Sequence, residues 1–136
     1  MMDSIALYRK YRPAFFADVI GQTGIVKALA GAVASRKIPH ALILTGTRGV
    51  GKTTAARIFA KAACCLESQQ GDACGKCASC TIIANANPMD IIELDAASNN
   101  GVEEIRELIE KARYAPSILT HKIFILDEAH MLTGSA

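Results

Sequence analysis

The stretch Gly46-Thr47-Arg48-Gly49-Val50-Gly51-Lys52-Thr53 fits the pattern G-x-x-x-x-G-K-[ST] of a phosphate-binding loop. Its glycines tolerate backbone angles that a Cβ would block, so successive N–H groups can curl into a concave nest around a polyphosphate. Thr47, Arg48 and Val50 complete the run of donors. Lys52 would set an ammonium between the β- and γ-phosphates, and Thr53 is the expected Mg²⁺ ligand, with Thr54 adding a second hydroxyl.

The flanks supply the context that such a loop requires. Residues 41–45 (Ala-Leu-Ile-Leu-Thr) form a short apolar run that reads as a buried strand. Residues 54–63 read as a helix with Ile58, Phe59 and Ala62 on one side. A helix N-terminus favours the phosphate charge, so strand, glycine loop and helix together point to nucleotide binding.

Further along, Lys122-Ile123-Phe124-Ile125-Leu126-Asp127-Glu128 is an apolar run ending in two carboxylates. In a P-loop protein such a strand brings Asp127 to the Mg²⁺ shell. Glu128 would then polarise the water that attacks the γ-phosphate. Lys52, Asp127 and Glu128 are therefore the candidate catalytic residues.

Four cysteines, Cys65, Cys74, Cys77 and Cys80, follow the P-loop helix with the spacing C-x₈-C-x₂-C-x₂-C. The C-x₂-C pairs let thiolates from tight turns reach one tetrahedral ion, and Gly75 eases the turn. The spacing suits a closed structural zinc site better than a redox pair. Cys64 could replace Cys65 in the ligand set, or be a small buried residue.

The chain has 136 residues, enough for one small domain. Apolar residues make up 51% and aromatics 5%, so the core is aliphatic. A net charge of +2 is too small to argue for nucleic acid on charge alone. No apolar run approaches the ~20 residues of a membrane span, and no signal-peptide core follows the first residues. The expected location is the cytoplasm, with thiols reduced unless they hold metal.

Residues 1–22 are irregular, an arm packed by its aromatics. A helix runs from Thr23 to about Arg36, another from Ser79 to Asn85. A strand spans residues 91–95, and residues 96–101 form a loop. An amphipathic helix then carries Val102, Ile105, Leu108, Ile109 and Ala112 on one face, with Glu103, Glu104, Glu107 and Glu110 on the other.

Taken together, Tyr-Arg-Lys-Tyr-Arg-Pro at 8–13 and Asp18-Val19-Ile20-Gly21-Gln22 resemble the N-terminal box of the clamp-loader ATPases of the AAA+ class. With the phosphate loop, the four cysteines, Leu94-Asp95-Ala96-Ala97-Ser98 and Leu126-Asp127-Glu128-Ala129-His130, they resemble the gamma/tau family of bacterial DNA polymerase III. The cysteine insert is the most specific feature of this likeness.

The resemblance implies an α/β fold of the P-loop NTPase (AAA+) type. Its three-layer parallel sheet would be incomplete here and would carry a small four-cysteine zinc insert at 64–82. Residues 1–22 would be an adenine-binding arm, with Tyr8, Arg12, Val19 and Ile20 around the base and sugar. Residues 23–136 would be the N-terminal part of the ATPase domain. The likeness also favours Cys65 over Cys64 as first zinc ligand. The implied cofactors are ATP, Mg²⁺ and structural Zn²⁺.

The implied function is ATP-driven loading of the sliding clamp onto primed DNA for the polymerase holoenzyme. The partners would be other clamp-loader subunits, the sliding clamp and primer–template DNA, with no membrane. Contacts to DNA would fall to Asn99, Asn100 and Arg106 and would be weak, because phosphate contacts favour Lys and Arg, which are sparse there.

The family's five strands lie in the order 5-1-4-3-2, and only the first three fall within these 136 residues. The sensor residue, arginine finger and lid are expected elsewhere in the parent chain, so the 136 residues alone are expected to be a fragment inactive in hydrolysis. A non-hydrolysing nucleotide- and zinc-binding assembly module is the alternative. A DEAH-type helicase is a third reading, resting on residues 127–130 alone.

Overall fold

The computed structural model describes residues 13–19, 23–45, 51–85 and 88–136. Of the expected nucleotide contacts, Tyr8, Arg12, Ile20 and residues 46–50 lie outside these.

Helix α1 spans Thr23–Ala34, α2 Lys52–Cys64 and α3 Ala78–Asn85. Strand β1 (Ile91–Asp95) is followed by α4 (Val102–Ala112) and strand β2 (Ile123–Asp127). A 3-10 turn, Phe16–Asp18, precedes α1, and another, Ala129–Met131, follows β2.

The two strands pair in parallel, with Ile91 opposite Ile123 and Asp95 opposite Asp127. Parallel neighbours need a crossover, and α4 with its flanking loops provides it. That adjacency is the one the family order implies for the second and third strands.

The core does not sit on this sheet. It lies where α1, α2, the first 3-10 turn and the cysteine insert converge: Phe16, Leu29, Val33, Ala55, Ile58, Phe59, Ala62, Ala73 and Cys80. Residues 55, 58, 59 and 62 recur at the helical interval, so α2 turns one face wholly to this cluster. Its other side carries buried Ala60, Ala63 and Cys64. There α2 meets β2, and the Cys64 thiol donates to the His121 carbonyl at 3.8 Å. A small side chain every turn lets the helix backbone approach closely on that side. Arg57 extends the contact, its guanidinium holding both Glu93 carboxylate oxygens on β1 at 2.9 Å.

Two expectations need correction. Residues 41–45 have no strand structure: Leu42 is 46% and Ile43 85% exposed. A strand is completed by a partner, and among the described residues none pairs with this run. In the family order its neighbours would be the fourth and fifth strands. The three-layer sandwich is likewise not formed among the described residues. A sheet of two strands, with strands ~4.8 Å apart, is too narrow to bury a helix layer on each face. Accordingly α4 keeps its amphipathic pattern but has no buried residue.

Candidate functional site

Four thiols converge behind α2. The Sγ atoms of Cys65, Cys74, Cys77 and Cys80 all lie within 4.8 Å of one another. Cys65 and Cys77 are 3.9 Å apart, Cys74 and Cys80 4.0 Å. A tetrahedral zinc with Zn–S of about 2.3 Å would require S···S edges of about 3.8 Å. A disulfide would need about 2.05 Å, so the set fits an ion and not a pair of bridges.

The turn that gathers the thiols is built by the backbone. Gly75 sits at φ +76°, the left-handed region the turn requires. The N–H groups of Lys76 and Cys77 point at the Cys74 sulfur at 3.4 and 3.2 Å, and that of Cys80 at the Cys77 sulfur at 3.4 Å. The Cys74 N–H reaches the Cys65 sulfur at 3.3 Å.

Such donors favour thiolate. They lower the Cys74 pKa, and at Cys77 those of Leu66 and Cys80 overcome the opposing effect of burial and bring it to about 6. Burial acts the other way on Cys65, and pushes Cys80 up to about 12. A divalent cation would be needed to hold all four as thiolates at neutral pH. Cys64 stands apart: it is fully buried, bonds to His121, and burial raises it to about 11. It is a packing residue, and Cys65 takes the place in the cluster.

The second constellation joins the start of α2 to the end of β2. Gly51, at φ +86°, turns the chain into α2, and Lys52 and Thr53 occupy its first turn, two residues earlier than the pattern at 54–63 predicts. The Thr53 hydroxyl donates to Asp127 Oδ1 at 3.1 Å, across 74 residues of sequence. The same carboxylate oxygen accepts the Glu128 N–H at 3.0 Å. Thr53 and Asp127 are both half-buried, as are Lys52 and Thr54.

Glu128 adopts φ +54°, a left-handed turn that swings its side chain out of the strand direction. Its carboxylate lies 3.4 Å from His130 Nε2. The pair sits outside the carboxyl end of a parallel strand, where ligands bind in open α/β sheets.

The sequence comparison decides the family. Residues 21–136 match the family described as DNA polymerase III, delta subunit. The chain belongs to this DNA polymerase III family. Within it, the chain is similar to DNA polymerase III subunit tau of Bacillus subtilis, 50% identical over 131 residues, covering 96% of this chain and 23% of that protein. It is also similar to subunit gamma/tau of Mycobacterium tuberculosis, 47% identical, covering 95% and 23%. To subunit tau/gamma of Haemophilus influenzae it is 45% identical, covering 93% and 18%. The chain thus spans about a quarter or less of the length of these relatives. The matched family is a clamp-loader domain of AAA+ type.

The other expected site residues are more scattered. Val19 lies half-buried against the core beside the first 3-10 turn. Asn99 is spent within its own loop, its amide donating to the Asp95 carbonyl at 3.1 Å. The Asn100 carbonyl accepts the Thr133 N–H at 3.1 Å. Arg106 pairs with Glu103 at 3.0 Å, both exposed, which offsets its charge.

Sequence reasoning missed three carboxylates. Asp95 takes the Ala97 N–H at 2.9 Å and the Ser98 hydroxyl at 3.3 Å, shaping the loop after β1. Asp90, 1% exposed, gathers the N–H groups of Ser117, Ile118 and Leu119 at 2.7–2.8 Å. Asp72 receives the N–H groups of Phe16 and Ala17. Asp95 opens a loop of small polar residues, a signal that could have found it. The other two are bound to segments far off in sequence, and no spacing rule points to them.

Proposed function

We propose that the chain is the nucleotide-binding part of an ATP-hydrolysing motor in the DNA polymerase III clamp loader, which loads the sliding clamp onto primed DNA. One observation carries the reading: the Thr53 hydroxyl and the Asp127 carboxylate meet at 3.1 Å although 74 residues separate them in sequence. That is the pair a Mg²⁺-dependent P-loop site needs side by side.

Bound Mg²⁺·ATP would supply the γ-phosphoryl group and concentrated negative charge. Lys52 would neutralise part of that charge from the first turn of α2, with residues 46–51 donating backbone N–H groups. Thr53 and Asp127 would hold the Mg²⁺. Glu128, one residue past the strand, would orient the attacking water and accept its proton. The four cysteines would hold one structural zinc with no open position, so the zinc would do no chemistry. The partners would be the other clamp-loader subunits, the clamp and primer–template DNA. Asn99, Asn100 and Arg106 would contribute weakly to DNA.

Glu128→Gln in the protein at its full native length tests this. ATP binding stays within about threefold of wild type, while turnover falls by about 10²–10⁴, the share of a positioned general base. Turnover left intact would remove the motor reading and favour the assembly-module alternative.

A further inference from the structure

Cys80 belongs to the thiol cluster and to the core at once. It is 1% exposed and packs in one cluster with Phe16, Leu29, Val33, Ile58 and Phe59. Cys65, Cys74 and Cys77 lie half-buried against the same cluster. The thiols that would hold a metal are therefore a wall of the core shared by α1 and α2, not an appendage to it.

The rest of the insert is fastened to the same wall. Gln69 and Asp72 exchange backbone bonds at 2.8 and 3.0 Å, around a turn with Gln70 at φ +53° and Gly71 at φ +83°. Gly71 lies so close to the Ala30 carbonyl of α1 that any side chain would collide with it. The Asp72 carboxylate accepts the N–H groups of Phe16 and Ala17 at 3.1 and 3.2 Å. These are donors that the 3-10 turn cannot satisfy within itself. A Cβ on Gly75 would come within 3.1 Å of the Phe15 ring.

The half that carries β1 and β2 is joined differently. It reaches α2 through the bonds of Thr53 to Asp127, Arg57 to Glu93 and Cys64 to His121. Asp90 ties residues 117–119 together within that half. None of these bonds uses residues 65–80.

A short segment with a small core leans on a metal or on disulfides to hold its shape. Where the site exists only in the folded chain, the free energy of metal binding is folding free energy. In this insert that energy reaches past residues 65–80, because the ligands are also core residues. We propose that metal occupancy of the four cysteines controls the folding of residues 15–19 and of α1. These segments, the insert and the facing side of α2 form one metal-dependent unit, and residues 90–127 form a second. The inference rests on reading the thiol cluster as a metal site. It gives that site a hold on segments upstream of α2 that supply no ligand.

Hydrogen exchange read by mass spectrometry tests this on the protein at full native length. The protein is measured first as purified, with its zinc counted, and again after a strong chelator has removed the metal. Removal speeds exchange in residues 15–19 and in α1 by about tenfold or more, together with residues 65–80. Residues 91–95 and 123–127 stay within about twofold of their metal-loaded rates. Faster exchange confined to residues 65–80 overturns the proposal, and so does an equal gain in β1 and β2. Asp72→Ala, which removes no thiol, keeps its zinc and still speeds exchange in residues 15–19 about tenfold, the scale of losing hydrogen bonds to a charged group. An unchanged rate there also overturns the proposal, and this variant decides where the metal-free protein leaves solution. Wild-type protein that takes up no zinc when supplied with it would remove the metal reading itself, a result seen before any chelator is added.

Discussion

Asp90 is buried because three backbone N–H groups replace water around its carboxylate. Burial alone would raise its pKa. The N–H groups of Leu119, Ser117 and Ile118, with the nearby Lys122 charge, outweigh that and lower it. The folded-state value therefore lies below the unfolded one. The resulting stabilisation is complete above the unfolded value of about 3.9 and is lost as pH falls through the depressed folded value. Asp90→Ala leaves the buried Leu119 N–H unsatisfied and frees residues 117–119, which lead into β2. The expected cost is about 2–4 kcal/mol, read as a lower urea midpoint at pH 7. The gap from wild type narrows below about pH 4. A midpoint unchanged at pH 7 would show that this anchor does not matter.

Among the elements, the cysteine insert is the most self-contained, and its ligand set is open to direct count. One equivalent of zinc per chain is expected by metal analysis of protein never exposed to chelator. Less than half an equivalent contradicts the site. Cys65→Ser removes the metal or weakens it by orders of magnitude, since one of four thiolates is lost. Cys64→Ser keeps a full equivalent, because that sulfur serves the packing between α2 and residue 121. This element was legible in the sequence because its ligands lie close together and their spacing is itself the geometry. The helices were legible for the same local reason: residues 58, 59 and 62 announce α2 without reference to anything else. Asp72 and Asp90 were not, because their meaning lies in the segments they hold, 55 or 56 and 27–29 residues away. The run at 41–45 shows the converse. It has a strand's composition, but a ladder needs a second chain segment, and composition does not provide one.

At the scale of the molecule, the apolar run at 41–45 and the outer edge of β2, both without a strand partner among the described residues, leave a sticky margin. Ile43 is 85% exposed, and Leu126 and Met131 are partly so. An open parallel edge beside such side chains is a template for association. The 136-residue polypeptide on its own is expected to self-associate with rising concentration in sedimentation experiments, and Ile43→Lys to suppress that association. Monomeric behaviour of both proteins at high concentration would show that the margin is protected. The sheet was legible only as far as its neighbours are present: β1 beside β2 was expected and is found.

The bond between Thr53 and Asp127 also carries information about time. A ribosome adding about 5–20 residues per second takes roughly 4–15 s to make the 74 residues that separate them. During that interval α2 can form, and the cysteines and Phe16 can already close around it, since all of them precede residue 81. The bond from Thr53 to Asp127 cannot form until β2 emerges. On the proposed reading, a nascent chain would gather its four cysteines before its nucleotide site could close.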